Sequence, residues 1–377
     1  MNGSQKALAL SLLLAALAGC SRLGYYAHLG KGGLALATRG EKVEKLLCDP
    51  ETPGELASRL RFARELLEFA DARLGLPVEK KYRRYLDLKR PYVVWTVVAT
   101  PEFSLEPKTW CFPIAGCVGY RGFFTPQRAG RFADGLRAQG FDVSVGGVRA
   151  FSSLGWFGDP LLNTFVFEQD QRLAGLLFHE LAHGLVYVKG DTAFNESFAT
   201  AVERAAVRRW LEATASGGAK AVVVEYQRFL DQVDHAAAAV ERIRERLRAL
   251  YKSPALEIRV APRDSPEAMV ALPEIRRRKA ELFAELQLDL AASDPEHRSA
   301  LAGWIGRNLN NADLASAGFY RERLAFFENL LGAVDGDLES FYSSARCLAE
   351  LPTEDRNHRF ETGTWGECIL AGSGEME

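Results

Sequence analysis

The chemistry-bearing residues of this chain are concentrated in Phe178-His179-Glu180-Leu181-Ala182-His183 and, shortly after, in Phe194-Asn195-Glu196-Ser197-Phe198-Ala199. On a helix, positions i and i+4 share a face, so His179 and His183 can aim two imidazoles at one metal ion. Glu180 stands beside them, placed to polarise a water on that metal. A zinc site of catalytic type needs a third protein ligand and one open position. Glu196, thirteen residues past His183 on a second helical run, is the expected third ligand. Two neutral imidazoles and one carboxylate suit zinc better than harder ions. Glu196, Thr200 and Glu203 recur at i, i+4 and i+7 on that second run. Glu203 is expected to accept the remaining N–H of a ligand histidine and fix its tautomer. It also stands as the alternative third ligand, or as a surface carboxylate near Arg204 or Arg208. Asn195-Glu196-Ser197 is formally a glycosylation sequon, but ligation accounts for more of its surroundings.

The elements that must hold these residues read as follows. Asp170 to Lys189 is the first motif helix, with Leu173, Leu176, Leu177, Leu181 and Leu185 as its core stripe and Gly190 as its stop. The second runs from about Asn195 to Leu211. Upstream, Tyr92 to Ala99 is β-rich, Trp110 to Phe124 suits a strand and a tight turn near a site, Thr125 to Gln139 reads as helix and Phe141 to Val145 as strand. Val148 to Phe157 is an extended segment, either an edge that binds a peptide by strand addition or part of a plain hairpin. The expected fold is α+β and predominantly helical, with a small mixed sheet. Its expected divisions are an N-terminal helical lobe (20–90), a core with both motifs (91–214), a long helical hairpin (215–290), a C-terminal helical region (291–366) and a flexible tail (367–377). The N-terminal lobe, helical from Tyr25 to about Leu88 with a long helix over Gly54 to Leu74 stopped by Gly75 and Pro77, carries no visible chemistry. In the hairpin, Ala219 to Leu250 and Glu274 to Leu290 are the two helices. Asp313 to Leu331 is a further helix.

Composition narrows the partners. A net charge of −2 gives no electrostatic case for nucleic acid. Residues 1–19 read as a targeting leader: Lys6 supplies a short basic region, Ala7 to Leu17 an apolar run too short for a permanent span. Leu17-Ala18-Gly19-Cys20 resembles the lipobox of a bacterial lipoprotein. That resemblance implies cleavage before Cys20 and lipidation of its thiol. With Ser21 next, it also implies a lipid-anchored protein of the cell envelope, on the periplasmic face of the outer membrane. Cys48, Cys111, Cys117, Cys347 and Cys368 remain, an odd number, so at least one thiol stays free. Cys111 with Cys117, and Cys347 with Cys368, are close enough in sequence to pair. His28, His235, His297 and His358 lack ligand spacing and read as structural or surface residues. Oligomeric state cannot be read.

His179-Glu180-Leu181-Ala182-His183 followed by Asn195-Glu196-Ser197-Phe198-Ala199 resembles the paired motifs of the gluzincin metallopeptidases, aminopeptidases of the N type in particular, with a shorter interval between them. The whole set is closer to a bacterial "predicted aminopeptidase" family of zinc lipoproteins, on the lipobox, Tyr120-Arg121-Gly122-Phe123-Phe124, Ser153 to Pro160, both metal motifs and Asn310-Asn311-Ala312. The resemblance implies a gluzincin-like core, a Zn cofactor, a peptide substrate and aminopeptidase action.

Within that reading Glu180 is the general base. Tyr320, nine residues past Asn311, is the candidate donor to the developing oxyanion, with Tyr120, Tyr342 and Arg121 competing. Tyr120 and Arg121 are the candidate substrate contacts. An exopeptidase also needs a carboxylate for the free amine, and Glu168 and Asp159 are the guesses. Two other functions stay open: a non-peptidase hydrolase with the same metal site, and an envelope lipoprotein whose metal site is structural or vestigial. A retired site would have no chemical need for Glu180.

Overall fold

The computed structural model describes residues 24–372 except 80, 113–115, 151–157, 215–218, 253–265, 293–302 and 319–322. Cys20, Tyr320 and the extended stretch 151–157 therefore lie outside the described residues. The chain is α+β and mostly helical. A helix over 24–38 (α1) precedes β1 (Glu41–Lys42), α2 (Val43–Cys48) and α3 (Gly54–Leu74). Gly75 closes α3 at φ +62°, a left-handed C-cap that glycine adopts without steric cost. The expected helix does not resume beyond it. Residues 75–79 and 81–83 are irregular, and β2 (Arg84–Leu86) follows, pairing antiparallel with β1 and parallel with β8 (Leu161–Leu162). Tertiary pairing has overridden local propensity there.

A three-stranded antiparallel sheet has β3 (Val94–Pro101) at its centre, β6 (Arg121–Phe123) on one side and β7 (Phe141–Val148) on the other. Between β3 and β6 a hairpin of β4 (Trp110–Phe112) and β5 (Gly116–Val118) is closed by the Cys111–Cys117 disulfide. α4 (Pro126–Arg137), started by proline at N1, covers the sheet through Ala129, Ala133 and Leu136.

α5 (Asp170–Ala182) and α6 (Thr192–Thr214) carry the two motifs. The first is shorter than the periodicity predicts. Its pattern breaks at His183, where Gly184 and Leu185 donate to Leu181 and Ala182 in a tightened last turn. The second is longer at both ends. Leu60 and Leu66 of α3, Leu177 and Phe178 of α5, and Phe194 and Phe198 of α6 are all 0% exposed, as are Phe327 and Phe341 further on. They form one core shared by the N-terminal, motif and C-terminal helices. Each such side chain contributes about 1.5–3 kcal/mol of burial free energy.

α7 (Ala219–Tyr251) and α8 (Pro266–Ala291) form the expected hairpin. The ion pairs Arg242–Asp289 and Arg246–Glu285 run in opposite sequence directions, so the helices are antiparallel. Ile243, Leu247 and Leu286 give the hairpin a core of its own. The expected single helix over 313–331 is instead two, α9 (Asn311–Gly318) and α10 (Leu324–Ala333), followed by α11 (Leu338–Glu350) and α12 (Thr353–Thr362). The expected flexible tail begins too early: Gly366–Gly372 is a 3-10 turn, and Cys368, 1% exposed, is bonded to Cys347 of α11. Cys48 is a free, exposed thiol. Among the described residues no helix is long and apolar enough to cross a membrane.

Asn310-Asn311-Ala312 is a staple between these parts. Asn310 donates to Val143 O at 3.2 Å, Asn311 donates to Glu102 O at 2.9 Å, and Asn311 accepts from the Tyr251 hydroxyl at 2.8 Å. Buried Asp313 accepts from Ser144 Oγ at 2.6 Å. The motif joins sheet, hairpin and α9.

Candidate metal centre

The last turn of α5 and the first turns of α6 face each other across a tight interface. A β-carbon on Gly175 would stand 2.9 Å from Glu203 Oε1, so a larger residue one turn before His179 would push the Glu203 carboxylate from its place. The interval between the motifs is pinned by Asn195. Its amide accepts from Val188 N–H at 2.7 Å and donates to Val188 O at 2.8 Å. Asp191 caps α6 by accepting from Phe194 N–H at 3.1 Å. The same carboxylate takes Arg323 Nη1 at 2.8 Å on both oxygens and Arg356 Nε at 3.2 Å. Arg323 N–H also donates to Ser197 Oγ at 3.2 Å. The C-terminal helices thus brace the start of the helix that bears Glu196. None of these partners lies near the motifs in sequence.

The structure brings His179, His183 and Glu196 together, with one ligand atom of each within 4.8 Å of the others. His179 Nε2 is 3.3 Å from Glu196 Oε2, and His183 Nε2 is 3.8 Å from Glu196 Oε1. The other nitrogen of His179, Nδ1, meets Glu203 Oε2 at 3.0 Å. A carboxylate there holds the proton on Nδ1 and leaves the Nε2 lone pair for a metal. His183 Nδ1 is buried without a protein partner. Two imidazoles and a carboxylate converging at these separations are a donor set that fits a zinc ion.

The charges are mutually dependent. Burial pulls His179 down, but the hydrogen bonds to Glu196 and Glu203 outweigh it and hold the imidazole well above its ordinary pKa. Burial and the charge of His179 push His183 down to about 4. Burial favours protonated Glu196, yet the bond to His179 and the nearby histidine charges hold it below the usual carboxylate range. Glu180 is pushed up to about 7, chiefly by burial, with Glu196 and Asp159 adding to the rise and His179 and Lys81 opposing it. A half-buried carboxyl poised near neutrality beside a metal-competent cluster is the pattern of a general acid–base.

Tyr120 and Tyr187, 36% and 39% exposed, both feel the charge of Glu196. Burial and then the Glu196 carboxylate raise both phenols, Tyr120 to about 12. Tyr187 was not singled out by sequence; its only signal is its place in the interval between the motifs. Arg121 is not a substrate contact: its guanidinium stacks at 3.7 Å over Tyr25 and 4.7 Å over Phe132, under the cover of α4. Tyr342 is buried and donates to Leu74 O at 3.0 Å, away from the cluster. Glu168 lies before the opposite end of α5, paired with Arg149 and Arg172, and so is not available to a substrate amine. Asp159 is buried within reach of the Glu180 charge. His28, as expected of a structural histidine, accepts from Phe124 N–H at 3.0 Å.

An α+β scaffold here sets an H-E-x-x-H helix against a second carboxylate-bearing helix, and the cluster between them could hold a metal ion. The chain belongs to the family described as "Putative aminopeptidase", which matches residues 24–360. No curated protein and no solved structure matches it.

Proposed function

We propose that this protein is a zinc-dependent peptidase with a gluzincin-like centre, acting on the N-terminal bond of peptides. The observation that carries the reading is the convergence of His179 Nε2, His183 Nε2 and the Glu196 carboxylate, with Glu180 next to His179 on the last turn of α5. The family membership supports the peptidase class.

His179, His183 and Glu196 would hold the ion, and Glu203 would orient His179 through its Nδ1 proton. When bound, zinc supplies Lewis-acid polarisation of a carbonyl and a lowered pKa for a water. Glu180 takes the proton of the attacking water and returns it to the leaving amine, a shuttle suited to a carboxyl whose pKa burial has moved toward neutrality. Tyr120 would donate to the oxyanion, with its raised pKa keeping the phenol protonated. Anchoring through a lipid on Cys20 to the envelope rests on the leader sequence alone and is part of the same proposal.

The test is a library of free and N-acetylated peptides with wild type and Glu180→Gln. The reading expects cleavage of free peptides only, and a loss of at least about 100-fold in the variant. Equal cleavage of acetylated peptides would make it an endopeptidase. Undiminished activity of Glu180→Gln would remove Glu180 from the chemistry.

A further inference from the structure

Lys81 lies in the irregular segment between α3 and β2 and is 7% exposed. Its ammonium donates to the main-chain carbonyl of Glu180 at 3.0 Å. That carbonyl belongs to the last turn of α5. The amide that would serve it in a continuing helix, Gly184 N–H, donates instead to Leu181 O at 2.9 Å. Carbonyls of a last turn lack intrahelical donors, and the helix dipole favours a cation beside them. Lys81 thus supplies from a distant part of the chain the cap that the helix lacks locally.

Several features hold the ammonium in that place. A β-carbon on Gly184 would come within 2.9 Å of Pro77 Cγ and 3.1 Å of Leu181 O, so the crossing beside Lys81 favours glycine. Lys81 N–H donates to Val78 O at 2.8 Å, and Tyr82 N–H donates to Asp159 O at 2.7 Å. Tyr82 is buried with φ +61°, a left-handed conformation that a tyrosine keeps only where its surroundings dictate it. Its ring packs edge-on to Phe165. Burial pulls the pKa of the ammonium below its ordinary value, and the charges of Asp159 and Glu180 oppose that pull.

We propose that Lys81 is a positioning residue for Glu180: by capping that residue's own carbonyl it fixes the final turn of α5, on which Glu180 and His183 stand. The N-terminal region, which reads in the sequence as scaffold, then contributes directly to the order of the site. The proposal rests on the reading of Glu180 as the proton shuttle.

The test compares Lys81→Met, Lys81→Arg and a surface control, Lys45→Met, whose side chain is 70% exposed. Hydrogen exchange is followed at the amides of His183, Gly184 and Leu185, and kcat and KM are measured per bound zinc. Lys81→Met is expected to exchange at least about tenfold faster at those amides. Its kcat should fall about tenfold to a hundredfold while KM stays within about twofold. Lys81→Arg, which keeps the cation, recovers much of both, and Lys45→Met changes neither. Unchanged exchange in Lys81→Met overturns the cap, and that result requires no turnover. Faster exchange with wild-type kcat per zinc overturns the positioning role. Absence of turnover in wild type defeats the peptidase reading, while the exchange data still decide the cap. If Lys81→Met does not fold, Gly184→Ala, whose methyl would meet Pro77 Cγ at 2.9 Å and Leu181 O at 3.1 Å and so shift the crossing that holds Lys81, is read in the same way at the amides of His183 and Leu185.

Discussion

Asn195→Ala removes the clamp that closes the interval between the two motifs. The lost side chain makes two hydrogen bonds to Val188, at 2.7 and 2.8 Å, from a residue only 4% exposed. A buried backbone group left without its partner costs about 1–3 kcal/mol. Val188 is only partly buried, so water recovers some of that cost. The expected loss is about 2–4 kcal/mol, short of two full penalties. For a chain of this size that lowers Tm by about 3–5 °C. Glu196 is the next residue along, so zinc affinity should fall as well. The assay is urea unfolding of the metal-free protein, with zinc affinity measured in parallel by chelator competition. An alanine variant within about 0.5 kcal/mol of wild type would refute the clamp.

Glu203→Ala should weaken zinc binding about 10- to 100-fold, because His179 loses the acceptor that fixes its tautomer; an unchanged affinity in chelator competition would contradict that. In the metal-free protein Glu180 titrates near 7 rather than 4.5, so between those values the folded chain holds a proton that the unfolded chain has released. Its contribution is complete below pH about 4.5 and is lost as pH rises to about 7. The stability advantage of wild type over Glu180→Gln should shrink across that window by up to about 3 kcal/mol, and a difference that grows with pH would overturn the assignment. Replacing both Cys347 and Cys368 by serine opens a loop with a sequence separation of 21 and should cost about 3 kcal/mol, read as a fall in Tm.

The centre was legible because its spacing is local. His179 and His183 stand one turn apart on a single helix, and Glu196 and Glu203 share a face on the next, so a linear pattern carried most of the geometry. What surrounds them was not legible. Lys81 reaches Glu180 across 99 positions, and Arg323 reaches Asp191 across 132. Such contacts depend on how the helices pack rather than on any spacing in the chain. Arg121 shows the converse error: a cation next to a candidate tyrosine suggests a site, but strand alternation turns it onto the aromatic side under α4. Asn310-Asn311 was visible as a motif, yet its partners, Val143 and Glu102, make it a staple between sheet and helices. In the fold, strong helical periodicity gave α3 and the hairpin, whereas the short strand β2 has only Tyr85 to bury and no alternation long enough to recognise.

The most direct test is metal content by plasma mass spectrometry on the soluble form beginning at Ser21, wild type beside Glu196→Ala. The account predicts about one zinc per chain in wild type and its loss in the variant. Zinc retained by Glu196→Ala would move the third ligand to another residue. No zinc in wild type, even after supplementation, would contradict the metallopeptidase reading itself.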